Sequence, residues 1–194
     1  MNKIFTIGYA GIKLTTFIEV LKENKISFLI DVRSVPRSQY FPAFNDKNIQ
    51  GELLKNGIEY SNFKNEFGAR QYDKDFYTNG VLNFEKFSKS KQFQNGIKLI
   101  KDLTKKNNIC LMCAEIDPLN CHRAILIAKE VNYSGFEVVH IIAKRNGEIT
   151  YENHTDLEKR LLETYKKQTD NLQIAYQKHN AIIGHKKDSM DTEN

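Results

Sequence analysis

The stretch from Cys113 to Arg123 reads Cys-Ala-Glu-Ile-Asp-Pro-Leu-Asn-Cys-His-Arg, so two thiols, a carboxylate, an imidazole and a guanidinium lie close together in the chain. A thiolate is a nucleophile and a soft metal ligand, and a nearby positive field lowers its pKa. Cys113 and Cys121 are therefore candidates for a working thiol, with His122 and Arg123 supplying that field; packing as small apolar residues is the alternative. Glu115 and Asp31 offer a second chemistry. Two acids at strand ends can divide general-acid and general-base work or stabilise a developing sugar cation. In the simpler alternative Asp31 pairs with Arg33, Arg37 or Arg123, and Asp117 caps the helix before Pro118. A metal could recruit Cys113, Cys121 and His122, completed by Glu115 or His140, and those donors suit zinc. The spacing argues otherwise, because neighbours on a helix point about 100° apart. No residue is assigned to a metal, and the cofactor is left open.

Arg33, Arg37 and Arg123 are phosphate-contact candidates, since a guanidinium fork matches phosphate oxygens. Gly8 and Gly11 add backbone that a ligand can approach closely, though Gly-x-x-Gly alone is neither a Walker loop nor a dinucleotide fingerprint. Tyr9, Ser38, Tyr60 and Arg70 complete the expected substrate contacts, with His140 either reaching the same edge or sitting as a satisfied core histidine. Cys110 reads as a core residue: three positions apart on a strand, Cys110 and Cys113 face opposite sides of the sheet.

Such residues need a scaffold that gathers them. Lys3 to Gly11 is an apolar strand ending in a small-residue turn, Phe17, Val20 and Leu21 place a stripe on a following helix, and Ser27 to Arg33 reads as a second buried strand. This β-α-β unit predicts a parallel pair with a right-handed crossover. Ser34 to Asn79 is irregular, broken by Pro36 and Pro42, with a helix expected over 46–55 and a strand over 57–61. Its aromatic and basic residues can stack bases and hold phosphates, or form the core of an excursion. Helical patterns follow from Leu82 to Leu103. Ile109 to Cys113 is a continuous apolar run, Ala124 to Val131 suits a helix, and Gly135 to Ile142 is a further strand. The reactive stretch thus falls at the carboxyl end of a strand and the amino end of a helix, where open α/β sheets bind ligands. Thr16 with Glu19 and Thr155 with Glu158 read as capping boxes, the latter opening a long helix that includes Leu157, Leu161, Tyr165, Leu172 and Tyr176.

The expected fold class is α/β: a Rossmann-like three-layer domain with a mostly parallel sheet and an irregular aromatic, basic insertion after the second strand. Residues 1–180 are expected to form one domain and 181–194 a disordered tail. At 194 residues and 40% hydrophobic content the chain can build one core. No apolar stretch reaches the roughly 20 residues that span a bilayer, and no signal-peptide layout opens the chain, so a cytoplasmic protein without a membrane partner is expected. Three cysteines in such a setting are thiols rather than a disulfide framework. The net charge of +5 is a mild excess, compatible with phosphate-bearing partners and with an ordinary solvated surface.

Gly8-Tyr-Ala-Gly11, Asp31-Val-Arg-Ser-Val-Pro-Arg-Ser38, Gly57-Ile-Glu-Tyr60, Cys113-Ala-Glu115 with Cys121-His-Arg123, and Val139-His-Ile141 together resemble the domain-of-unknown-function family numbered 488. Phe67-Gly-Ala-Arg70 stands where that family usually shows a Leu-Gly-Gly-Arg-like run. The resemblance implies an α/β fold with these motifs at one end of the sheet, and it brings no reaction with it. The residues themselves point to an enzyme acting on a nucleotide or nucleic acid by hydrolysis of a glycosidic or phosphoester bond. A thiol enzyme using Cys113 or Cys121 is the alternative, and a non-catalytic nucleic-acid-binding module a third. The oligomeric state is left open.

Overall fold

The apolar runs become strands of one sheet in the computed structural model, which describes residues 3–187. Six strands, β1 (Lys3–Gly8), β2 (Phe28–Asp31), β3 (Glu59–Asn62), β6 (Ile109–Cys113), β7 (Glu137–Ala143) and β8 (Ile149–Asn153), lie in the order β3-β2-β6-β1-β7-β8. The first five strands of that order are parallel, and β8 returns antiparallel to β7 through the Lys144–Gly147 turn. A two-stranded ribbon, β4 (Tyr77–Thr78) and β5 (Val81–Leu82), stands apart from it.

Strand parity divides the core into two layers. Ile7, Leu29, Cys110, Met112 and Ile141 pack against α1 (Leu14–Glu23) and α2 (Asp46–Lys55). Ile4, Ile30, Ile109, Leu111, Cys113 and Val138 face the opposite layer, which holds α3 (Lys64–Phe67), α4 (Phe84–Ser88), α5 (Lys91–Leu103), α6 (Lys129–Tyr133), α7 (His154–Tyr165) and α8 (Leu172–Ile183). This is the three-layer α/β, Rossmann-like arrangement expected from the alternating strand and helix patterns.

Several local expectations give way to tertiary context. Neither capping box forms. Lys13 precedes α1 and Asn153 precedes α7, and neither side chain caps its helix. The last helical pattern is broken at 166–171, where Asn171 caps α8 by accepting from the Ile174 N–H at 3.2 Å. Arg123–Ala128 winds as a π-helix before α6 continues it. The first residues of the expected tail are instead ordered: α8 runs to Ile183, and the His185 carbonyl accepts from the Leu82 N–H at 2.9 Å. Residues 188–194 of the expected tail lie outside the described residues.

At the carboxyl edge β6 sits between β1 and β2, with Gly8 in register with Cys113 and Asp31 with Met112. The chain leaving β6 lies flat on the end of β1. Tyr9 and Ala10 donate their N–H groups to the carbonyls of Cys113 and Ala114 at 3.2 and 2.9 Å. A Cβ on Gly8 would stand 1.7 Å from the Glu115 carbonyl oxygen, which no real contact permits. Gly8→Ala must therefore displace the 113–116 backbone and should destabilise the fold by more than about 2 kcal/mol. Gly51→Ala, on the open side of α2 with nothing within 4 Å of the new methyl, should be neutral or gain up to about 1 kcal/mol. Urea unfolding of the two variants checks this contrast, and equal midpoints would refute it.

Candidate functional site

Cys113 ends β6 on the face shared with the α5 and α6 layer. Asp117 accepts from the Leu119 N–H at 3.0 Å and opens a 3₁₀ turn over Pro118–Asn120, with proline at its first position. That turn delivers Cys121 in extended backbone (φ −137°, ψ 134°) and His122 in helical backbone (φ −58°, ψ −25°). The expected divergence of two helical neighbours does not arise, because Cys121 stands outside the helix. Cys121 and His122 instead converge on Cys113. His122 Nδ1 lies 3.9 Å from the Sγ of Cys113 and 3.9 Å from the Sγ of Cys121. All three donor atoms fall within 4.8 Å of one another.

The ring is oriented from its other side. His122 Nε2 is 3.1 Å from the Val32 carbonyl, which can only accept, so Nε2 carries a proton and Nδ1 is the atom that faces the sulfurs. Cys121 Sγ lies 2.9 Å from Glu115 Oε2 and receives the Arg123 N–H at 3.4 Å. Both thiols are buried, His122 is half-buried and Glu115 is exposed, so the cluster meets solvent at Glu115. The hydrogen bond to Cys121 and burial hold the Cys113 thiol well above its ordinary pKa. For Cys121 burial acts upward, but the Cys113 hydrogen bond and the Arg123 charge outweigh it and hold the pKa well down. Of the two thiols Cys121 is thus the one that favours negative charge, and burial together with the neighbouring Cys121 raises Glu115.

Arg123 does not present its fork to a ligand. Its side chain is fully buried, donating from Nη1 to the Glu115 carbonyl at 2.6 Å, from Nη2 to the Ile116 carbonyl at 3.3 Å and from Nε to Thr6 Oγ1 at 3.4 Å. A polar chain runs on from there. Thr6 Oγ1 is 2.8 Å from His140 Nδ1, His140 Nε2 is 3.1 Å from His154 Nδ1, His154 Nε2 is 3.1 Å from the Tyr176 hydroxyl, and that hydroxyl donates to Glu158 at 3.0 Å. A guanidinium at one end can only donate and a carboxylate at the other can only accept, so every link points toward Glu158 and both histidines are neutral Nε2–H tautomers. His140 is an internal link, as the core-histidine alternative has it. The sequence signal for this chain is a threonine and a histidine at central positions of otherwise apolar strands.

Asp31 and Glu115 reach the same sheet end but not the same face. Asp31 shares the parity of Leu29 and Met112, toward α1 and α2, and Cys113 shares that of Leu111. The Asp31 carboxylate takes Nε and Nη2 of Arg33 at 2.9 and 2.6 Å and the Tyr60 hydroxyl at 2.7 Å. Arg33 continues to the Tyr9 hydroxyl at 3.0 Å and the Phe44 carbonyl at 2.8 Å, and its Cζ lies 5.0 Å from the Tyr9 ring centroid. Asp31, Arg33, Tyr9 and Tyr60 therefore form a buried ion-pair network rather than a carboxylate pair with Glu115, and burial with the Asp31 charge pushes Tyr60 far up. Gly11 marks another tight crossing, where a Cβ would meet the Ala143 carbonyl at 2.6 Å.

The remaining candidates occupy an exposed rim. Arg37 is exposed with Asp46 at 3.9 Å, the Ser38 N–H donates to Asn45, and the Arg70 N–H donates to Ser34 Oγ at 2.8 Å. Tyr40 and Tyr72 are 90% and 97% exposed. Ser34 joins the two rim loops just beyond Val32, whose carbonyl holds His122. From the far side, Arg160 pairs with both Asp117 oxygens at 2.9 and 2.8 Å, and His179 Nε2 donates to the Leu119 carbonyl at 2.8 Å. No helix among the described residues is long and apolar enough to cross a membrane.

A model of the family described as Domain of unknown function DUF488 matches residues 13–129, a span that contains β2, β6 and the whole Cys113–Arg123 stretch. No curated protein matches the chain.

The paired histidines give the fold a pH dependence. Burial pushes His154 down to about 4 from its ordinary 6.5, and burial with the neighbouring His154 holds His140 well below that value. Above about pH 6.5 folded and unfolded chains both keep these rings neutral; below it the unfolded chain takes protons that the fold refuses. Stability should fall between about pH 6.5 and 4, by up to about 1.4 kcal/mol per pH unit for His154. Urea unfolding across that window should give a shallower slope for His154→Gln, and an unchanged slope would count against the buried neutral pair.

Proposed function

The chain belongs to the DUF488 family, and on that premise we propose that it is a hydrolytic enzyme acting on a phosphorylated, nucleobase-containing substrate, a nucleotide or a nucleic acid. The observation that carries this reading is the placement of Glu115: an exposed carboxyl at the carboxyl edge of the central strands, 2.9 Å from the Cys121 sulfur. Open α/β sheets bind ligands at that edge. A carboxyl group held there by a buried partner, yet open to solvent, can take a proton from attacking water and return it to the leaving group.

The rim supports the substrate class. Arg37 and Arg70 offer guanidinium forks to phosphate oxygens, and the exposed rings of Tyr40 and Tyr72 offer π-faces to a base. Ser34 ties these two loops beside the carbonyl that orients His122. Phosphate recognition in this reading belongs to Arg37 and Arg70, with Arg33 and Arg123 holding the edge together from inside.

A panel of nucleotides and short oligonucleotides, assayed for release of base or phosphate, tests the reading. Glu115→Gln should lower kcat by about 10²- to 10⁴-fold with binding retained. Tyr72→Ala and Arg70→Ala should weaken binding about tenfold or more while leaving the fold intact. Full turnover by Glu115→Gln would sink the proposal. Rapid, substrate-protected alkylation of Cys121 with total loss of rate would replace it by a thiol mechanism.

A further inference from the structure

We infer that Cys113, Cys121 and His122 form a zinc site at the carboxyl end of β6, with Glu115 beside its fourth position. A tetrahedral zinc ion bound at ordinary lengths sets its sulfur and nitrogen ligands about 3.6 Å apart and two sulfurs about 3.8 Å apart. His122 Nδ1 is 3.9 Å from each sulfur, and the three donors lie within 4.8 Å of one another. An ion at their centre needs the nitrogen-to-sulfur distances to contract by a few tenths of an ångström and the two sulfurs to close by at most about 1 Å.

Hydrogen bonding outside the donors has the same character. The Val32 carbonyl accepts the Nε2–H of His122 and leaves Nδ1 directed at the sulfurs, which is how a metal-bound imidazole is held. The Arg123 N–H reaches Cys121 Sγ, and its buried guanidinium offsets thiolate charge at short range. Two thiolates and an imidazole form a soft set that favours zinc over magnesium or calcium.

Three protein ligands leave one coordination position open, the arrangement of catalytic rather than structural zinc. Glu115, the exposed member of the cluster, stands at that side. The ion's part in turnover rests on the hydrolytic reading above; its ligation does not. Water in the open position gives its proton to the Glu115 carboxylate, its oxygen bonds to the electrophilic carbon or phosphorus, and the leaving group departs with the proton that Glu115 returns. The sum is one water added across the broken bond.

Elemental analysis of the full chain, purified without a histidine tag, should find about one zinc per molecule, falling below about a tenth in Cys113→Ser, Cys121→Ser and His122→Ala. Because those variants could unfold, the wild-type chain stripped of metal is also titrated with cobalt(II). Thiolate-to-cobalt charge-transfer absorption and strong tetrahedral visible bands are expected, displaced by equimolar zinc. Glu115→Gln should keep both metal content and spectrum; loss of metal there would overturn the open fourth position. Absence of zinc together with a spectrum of free aqueous cobalt would overturn the site. Zinc present without turnover of any nucleotide would leave the site standing and remove the hydrolytic reading, and turnover by metal-free protein would keep the hydrolytic reading and overturn the ion's part in it.

Discussion

A guanidinium taken wholly out of water has to be met by carbonyl dipoles or negative charge, or the fold loses several kcal/mol. Arg123 is such a group, and much of the carboxyl edge is arranged around it. Its two terminal nitrogens draw the carbonyls of Glu115 and Ile116 inward, which turns the chain leaving β6 back over β1. Only glycine at position 8 leaves room for that turn. Its Nε heads the line of Thr6, His140, His154 and Tyr176 that ends on the Glu158 carboxylate, so the buried positive charge is answered across the sheet without an adjacent acid. Its backbone N–H and its charge favour anionic sulfur at Cys121. One residue thereby shapes the loop, orders the core polar chain and prepares the thiol.

The sheet's pleat then separates two polar nests that sequence distance alone would merge. On one face Asp31, Arg33, Tyr60 and Tyr9 satisfy one another around a bidentate pair. On the other, two sulfurs, an imidazole and a carboxylate gather within reach of one another. A closed ion-pair network reads as mechanical support, and an open donor set reads as chemistry. Their common wall is the stretch after β2, where the Val32 carbonyl faces the imidazole and Arg33 enters the opposite nest.

Much of this was legible in the residues. Continuous apolar runs marked β1, β2, β6 and β7, and the polar cluster after Cys113 fell at a strand-to-helix junction as the pattern implies. What sequence could not give was the phase of each side chain at the strand ends. Asp31 and Glu115 were paired because both sit at one edge, and the parity of a two-residue repeat put them on opposite sides. On a helix Cys121 and His122 would diverge, but the Asp117 and Pro118 turn holds Cys121 extended. The capping boxes failed for a related reason. Glu158, expected to reach back to its helix start, is instead engaged by Tyr176. Long-range partners outcompete local ones wherever burial makes them dry.

The grip of the last two helices on the Asp117–Leu119 turn has a consequence for how variation would spread through the molecule. Arg160 and His179 hold that turn from positions far along the chain, and the turn fixes the backbone that presents Cys121. A change between α7 and α8, remote from any reacting atom, would be transmitted as a rotation of one sulfur relative to another. The spacing of the donors therefore depends on contacts made by residues more than 35 positions further along the chain.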